Sequence, residues 1–164
     1  MRSISHESIR SGVEIVGIIA VVLTLLLVAY EVRQANRIAE ATTTYEIGRD
    51  VNQLNELGYA DPEFAALLVK LRDRDFDPSG VEAMQVRLLA NRFLNLWTVQ
   101  EKAHLAGLLS DDQFAMTQAD VVTVLNAFPA LLGPWAAVLE DQPLLAEHVV
   151  LEPIVAAVAA EAGR

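Results

Sequence analysis

The chain contains no cysteine. Disulfides, cysteine-ligated zinc, iron–sulfur clusters and thiol catalysis are therefore excluded, while the redox character of the compartment stays open. Aromatic residues form only 6% of the 164 residues, yet 53% are hydrophobic and the mean hydropathy is +0.32. Aliphatic side chains thus carry the apolar content, more than a soluble domain of this size needs, and part of it is expected to face lipid. Basic residues are also scarce: 12 Lys and Arg stand against 22 Asp and Glu, for a net charge of -10. Nucleic-acid surfaces need clustered Lys and Arg to displace counterions, so no nucleic-acid partner is expected.

The shortage of positive charge is sharpest towards the C-terminus. No Lys or Arg lies between Lys102 and Arg164, whereas Asp111, Asp112, Asp120, Glu140, Asp141, Glu147, Glu152 and Glu161 do. This stretch reads as a solvated acidic surface, or as a docking face for a basic partner or a neighbouring subunit. Glycines are scattered singly, which excludes a Gly-rich phosphate loop. No strand alternation and no internal repeat is present.

What the sequence does have is one long uncharged run. Residues 15–30 read IVGIIAVVLTLLLVAY, and extension to residues 13–32 gives about the 20 residues a helix needs to cross a bilayer. Glu14 in the first turn can snorkel, Tyr30 falls where an interfacial aromatic belongs, and Glu31, Arg33 and Gln34 mark the far boundary. A cleaved secretory leader fits poorly, because no A-x-A-like site follows and the helical pattern continues through VRQANRIAEA. A second uncharged stretch at residues 121–139 is broken by Asn126, Pro129, Gly133 and Pro134. It is expected to form a helix, a turn and a second helix in a water-soluble core, since a lipid-facing helix so interrupted leaves backbone groups unsatisfied.

Beyond the span only the isolated Gly48 interrupts a helical pattern that runs to Gly58. Ile38, Tyr45, Ile47, Val51, Leu54 and Gly58 form a stripe suited to packing against the domain or against another stalk. Within the span Gly17, Ala20 and Thr24 are small residues that would let two helices approach. Asp61-Pro62-Glu63 predicts a helix start leading to a stop near Arg74. Ser79-Gly80-Val81-Glu82 reads as a capping box opening a long helix to about Ala106, and Ser110-Asp111-Asp112-Gln113 as a capped start of a helix reaching Phe128. A short helix from Pro134 and a last segment from Pro143, started or kinked by Pro153, complete the pattern. Phe64, Phe93, Trp97 and Trp135 are the expected core anchors.

The expected architecture is all-α. A polar tail (1–12) precedes a transmembrane helix (13–32), which continues into a stalk helix (33–58) packed with an acidic bundle of about four to five helices (59–164).

Candidate chemistry is sparse. Glu101 and His104 form one Glu-x-x-His pair of the kind di-iron bundles use twice, but Glu147-His148 lacks the spacing for a second copy. Glu101 is accordingly expected to be exposed, with His104 on the helix surface. His6, His104 and His148, the only imidazoles, match no nucleophile or metal-ligand spacing. No catalytic residue, metal or cofactor is expected, and an enzymatic role is disfavoured.

Tyr30-Glu31-Val32-Arg33-Gln34, with Asn36 and Arg37 beyond, closes the span. Arg87-Leu88-Leu89 leads through Phe93, Asn95 and Trp97 to Gly107-Leu108-Leu109-Ser110-Asp111-Asp112, with Trp135 further on. On these residues the chain resembles a widespread group of small bacterial single-span membrane proteins of unknown function, which share a Glu-(Ile or Val)-Arg-Gln-Asn-like juxtamembrane junction. Ala35, between Gln34 and Asn36, departs from that junction. The resemblance implies a bacterial inner-membrane protein with a cytoplasmic C-terminal domain, and it carries over no particular activity. Charge alone hardly fixes orientation, because Arg2 and Arg10 precede the span while Arg33, Arg37 and Arg49 follow it.

The expected role is a membrane-anchored interaction or scaffold module that contacts the lipid bilayer, self-associates and engages a further protein partner. The alternatives are a subunit of an oligomeric pore with rings of Glu14 or Glu31, and a membrane-tethered enzyme or metal sensor centred on Glu101 and His104.

Overall fold

The computed structural model describes the backbone of residues 6–163 and the side chains of residues 14–163, except 54, 55, 57 and 59. It is all-helical, with six α-helices and no strand among the described residues. They are α1 (His6–Ala60), α2 (Pro62–Lys70), α3 (Gly80–Leu105), α4 (Asp111–Ala127), α5 (Leu132–Asp141) and α6 (Glu152–Ala162). Three short 3₁₀ turns, Pro129–Leu131, Pro143–Glu147 and Val149–Leu151, join the later helices. The chain forms two compact units, Met1–Ala41 and Thr42–Arg164.

In the first unit α1 has the length and apolar composition to cross a membrane, and an 18-residue window of it has 0% of its residues buried. Every described side chain from 14 to 41 is exposed, including Glu14, Tyr30, Glu31, Arg33, Gln34 and Ile38. Thr24 donates its hydroxyl to the Ala20 carbonyl at 2.8 Å, so the hydroxyl in the middle of the apolar run is satisfied by its own helix.

The second unit is built around α3. Val86, Leu89, Ala90, Phe93, Leu94 and Trp97 recur at three- and four-residue spacing and are all buried. Leu67 and Leu71 cover them from α2, Val121 and Val124 from α4, Trp135 and Val138 from α5, and Ile154 from α6. Trp97 and Trp135 are both 0% exposed and meet with ring centroids 6.2 Å apart. The Trp135 indole N–H donates to the Ala90 carbonyl at 3.3 Å, which gives that buried donor its partner. Phe93 stacks on Trp97 at 5.2 Å, and Phe64 packs half-buried against the same cluster.

Helix boundaries follow local chemistry where the relevant groups are free to act locally. Asp61 Oδ1 accepts from the Glu63 and Phe64 amides, with Pro62 in the first turn. Ser110 and Gln113 form a complete capping box. Gly107, at φ +72°, closes α3 through amide bonds from Gly107 to the His104 carbonyl and from Leu108 to the Ala103 carbonyl, the pattern of a left-handed glycine cap. Three expectations need correction. The Ser79 side chain makes no capping bond and Gly80 enters α3 at φ +56°, while the Glu82 carboxylate, which would have closed the reciprocal half of the expected box, binds Lys70 Nζ at 2.5 Å. Helix α2 ends at Lys70 and not near Arg74, since the Arg72 and Asp73 amides turn back to the Val69 and Lys70 carbonyls, three residues away, and the helical ladder stops there. Helix α1 ends at Ala60, two residues past Gly58.

The uncharged stretch at residues 121–139 forms the end of α4, a 3₁₀ turn and α5, bent by 97° at the break. Val121, Val124, Ala130, Leu131, Trp135 and Val138 on it are buried in the core. Pro153 lies in the first turn of α6, where its missing N–H costs nothing.

The caps differ measurably in worth. Ser110→Ala removes a formed capping box and is expected to cost about 1 kcal/mol of stability, whereas Ser79→Ala removes no bond and should change it by less than about 0.5 kcal/mol. Thermal unfolding of the full chain in detergent, followed by circular dichroism, compares the two; equal losses would show that the Ser79 hydroxyl caps after all.

Candidate functional site

Glu101 is 5% exposed, which corrects the expectation of a surface carboxylate. The turn Val149–Leu151, which feeds directly into α6, has no Ser, Thr, Asp or Asn at its start, and His148 there makes no capping bond of its own. The first amides of that turn need acceptors once buried. Glu101 supplies them from α3: Oε1 accepts from the Val149 amide at 3.1 Å and Oε2 from the Val150 amide at 3.3 Å. Its Oε2 also lies 3.2 Å from His148 Nδ1. An ionised carboxylate can only accept, so Nδ1 carries the proton in this contact. Glu101 therefore caps a helical turn 47 residues away and ties α6 to the central helix.

His104 does not join it. Its ring stacks on Phe114 with centroids 4.4 Å apart and planes within 4°, and its Nδ1 lies 3.2 Å from the Leu109 carbonyl. Nε2 is 3.9 Å from the exposed carboxylate of Asp111. The Glu-x-x-His spacing is thus divided between two structural tasks, and among the described residues no group of three or more His, Asp or Glu could hold a metal ion. Beside Glu101 the buried Thr117 donates its hydroxyl to Gln100, closing a polar contact between α4 and α3.

The second feature is a cavity of about 370 Å³ between α2, α3 and α4, reached also by Val51 and Gly58 of α1. Its described walls are apolar apart from Asp120. One oxygen of Asp120, Oδ2, accepts the Trp97 indole N–H at 2.9 Å. Sequence reasoning found Trp97 but not its partner, because nothing local links residues 23 positions apart.

The stalk stripe splits. Ile47 and Val51 are half-buried, Ile47 in a cleft with Asn95, Leu96 and Val99 of α3, whereas Tyr45 is 71% exposed. Of the two packings the stripe allows, Ile47, Val51 and Gly58 meet the chain's own domain here; a three- and four-residue spacing looks the same for either partner. The side chain of Leu54 lies outside the described residues. Gly17, Ala20 and Thr24 lie on the exposed part of α1 in the first unit. The acidic C-terminal stretch borrows cations from earlier in the chain, with Arg87 bound to Asp141 and Arg74 to Glu161 at the surface.

No protein-family model, no curated protein and no solved structure matches this chain.

Removing the remote cap should show in stability. Glu101→Ala leaves the buried Val150 amide and the part-buried Val149 amide without acceptors and is expected to cost about 2–4 kcal/mol. Glu101→Gln keeps a carbonyl oxygen for one amide and should cost about half as much, and His148→Ala, which leaves both amide bonds, about 1 kcal/mol. Thermal melts of the three variants test the ranking; a neutral Glu101→Ala would remove the capping role.

Proposed function

We propose that the chain is a single-span membrane protein whose acidic helical domain serves as a protein-interaction or scaffold module and whose span region self-associates. One observation carries the anchor: the apolar window of α1 has 0% of its residues buried, although it includes side chains as large as Leu25 and Leu26 at 63% and 62% exposure. A core helix of a soluble protein would be covered by its own chain, so these side chains need another apolar surrounding. Uninterrupted helix across residues 30–41 supports an anchor over a cleaved leader.

Support for self-association comes from Gly17, Ala20 and Thr24 on one face of α1, with the Thr24 hydroxyl already satisfied. Ile38 and Tyr45, at 59% and 71% exposure, extend the uncovered surface beyond the span. A further protein contact is supported by Val81, Met84 and Leu88, which share one face of α3 at 75%, 68% and 62% exposure. The bacterial inner membrane, a cytoplasmic domain and membership of the junction-sharing group named above complete the proposal. Among the alternatives, no described cluster supports a metal sensor at Glu101 and His104.

Full-length protein should sediment with membranes after cell lysis and resist carbonate extraction; recovery in the detergent-free supernatant would end this reading. Mass photometry in detergent should give particles larger than a monomer, with Gly17→Leu and Ala20→Leu each weakening assembly at least about tenfold. A monomer at every concentration would remove the self-association part alone. Because the chain has no cysteine, Gln142→Cys gives a clean topology reporter: an impermeant maleimide should label it only after the membrane is opened.

A further inference from the structure

The cavity beside Trp97 has the size and lining of a ligand site. At about 370 Å³ it falls within the range of about 300–1,000 Å³ typical of small-molecule pockets. Phe64 and Leu68 of α2, Leu89 and Phe93 of α3, and Val124 and Phe128 of α4 wall it with aromatic and aliphatic carbon. Such a lining excludes a strongly hydrated guest and suits a compact hydrocarbon or aromatic body.

Charge narrows the choice further. Asp120 is the one charged residue among the described walls. Asp120 is itself exposed; the Trp97 indole N–H holds Oδ2, and Oδ1 has no hydrogen-bond partner among the described residues. No Lys or Arg exists between Lys102 and Arg164, so α4 has no cation of its own to neutralise Asp120. Arg92 of α3 lines neighbouring clefts but not this cavity. A carboxylate held in place at an apolar pocket, without a basic neighbour, selects a cation that can donate a hydrogen bond and rejects an anion.

We propose that this cavity binds a compact hydrophobic ammonium ion, its apolar body between α2, α3 and α4 and its N–H donors directed to the second oxygen of Asp120. The proposal does not rest on the membrane reading, and its failure would leave that reading untouched.

The chain's two tryptophans supply the test, because Trp97 binds Asp120 whereas Trp135 binds the Ala90 carbonyl. Full-length protein labelled with 5-fluorotryptophan, in detergent or in plain buffer according to the fraction that holds it, should give two fluorine signals, assigned with Trp135→Phe. The probes are 1-naphthylmethylammonium, 1-naphthylmethanol and 1-naphthoate, which share a ring system and differ in charge.

The ammonium should shift the Trp97 signal saturably and leave Trp135 in place, the alcohol should bind more weakly, and the carboxylate should not bind. Asp120→Asn preserves an acceptor for the indole N–H while removing the charge. It should weaken ammonium binding about tenfold and leave the alcohol unchanged. Leu96→Phe, at the half-buried rim, should abolish binding of both, with Leu68→Phe as a second blocking variant if the first does not fold. Absence of a saturable Trp97 shift with all three probes would overturn the proposal, as would equal shifts at both tryptophans or an Asp120→Asn effect of the same size on ammonium and alcohol.

Discussion

The second unit depends on one carboxylate. Helix α6 enters through a 3₁₀ turn with no capping side chain of its own, and Ile154 and Leu151 reach the core only if that turn can be buried. A turn cannot be buried with open amides. Glu101 resolves the conflict from α3, accepting two amides and the His148 ring. The carboxylate is in turn tolerable inside the protein because those three donors replace water. Burial of Leu151 and Ile154 is therefore coupled to burial of Glu101, and the surface pair Arg74 with Glu161, about half exposed, adds little to it.

The same constraint shows which parts of the fold can be read from sequence. Signals that act within one turn were legible: Asp61 with Pro62, the Ser110 and Gln113 box, and Gly107 all do locally what their residue types promise. So was the all-helical class, since the three- and four-residue spacing of apolar side chains on α3 is itself the packing face. Misreadings arose where a distant group took over. Lys70 took the Glu82 carboxylate that would have closed one half of the Ser79 box, and the Val149 and Val150 amides drew Glu101 inward. Each of these partners lies 12 or more residues away and carries no mark in the linear pattern.

The candidate cavity follows the same rule. Its apolar walls were visible as core residues, and Phe64, Phe93 and Trp97 stand out in any reading of large side chains. Asp120 did not, because in sequence it is one acidic residue among many in a stretch without Lys or Arg. Only the fold brings it to Trp97, and only the fold shows that no cation accompanies it among the cavity's described walls. An acidic surface and an acidic binding site are the same composition arranged differently.

Exposed apolar side chains occur in both units, and charge spacing separates their meanings. Many in the second unit are interspersed with ionisable groups: Val69 adjoins Lys70, and Leu105 lies one helical turn from Lys102. Long charged chains can lay their methylenes over such neighbours while keeping their heads in water, so isolated exposure there is compatible with an aqueous surface. From residue 15 to residue 30 the first unit has no ionisable group except Tyr30 at its end, and every side chain is exposed. No snorkelling chain is available to cover the middle of that run, and water would have to solvate several turns of bare hydrocarbon at about 25 cal/mol for each Å². A surrounding of acyl chains or of other apolar helices removes that cost. This is why the anchor proposal rests on the continuity of the uncovered run more than on its composition.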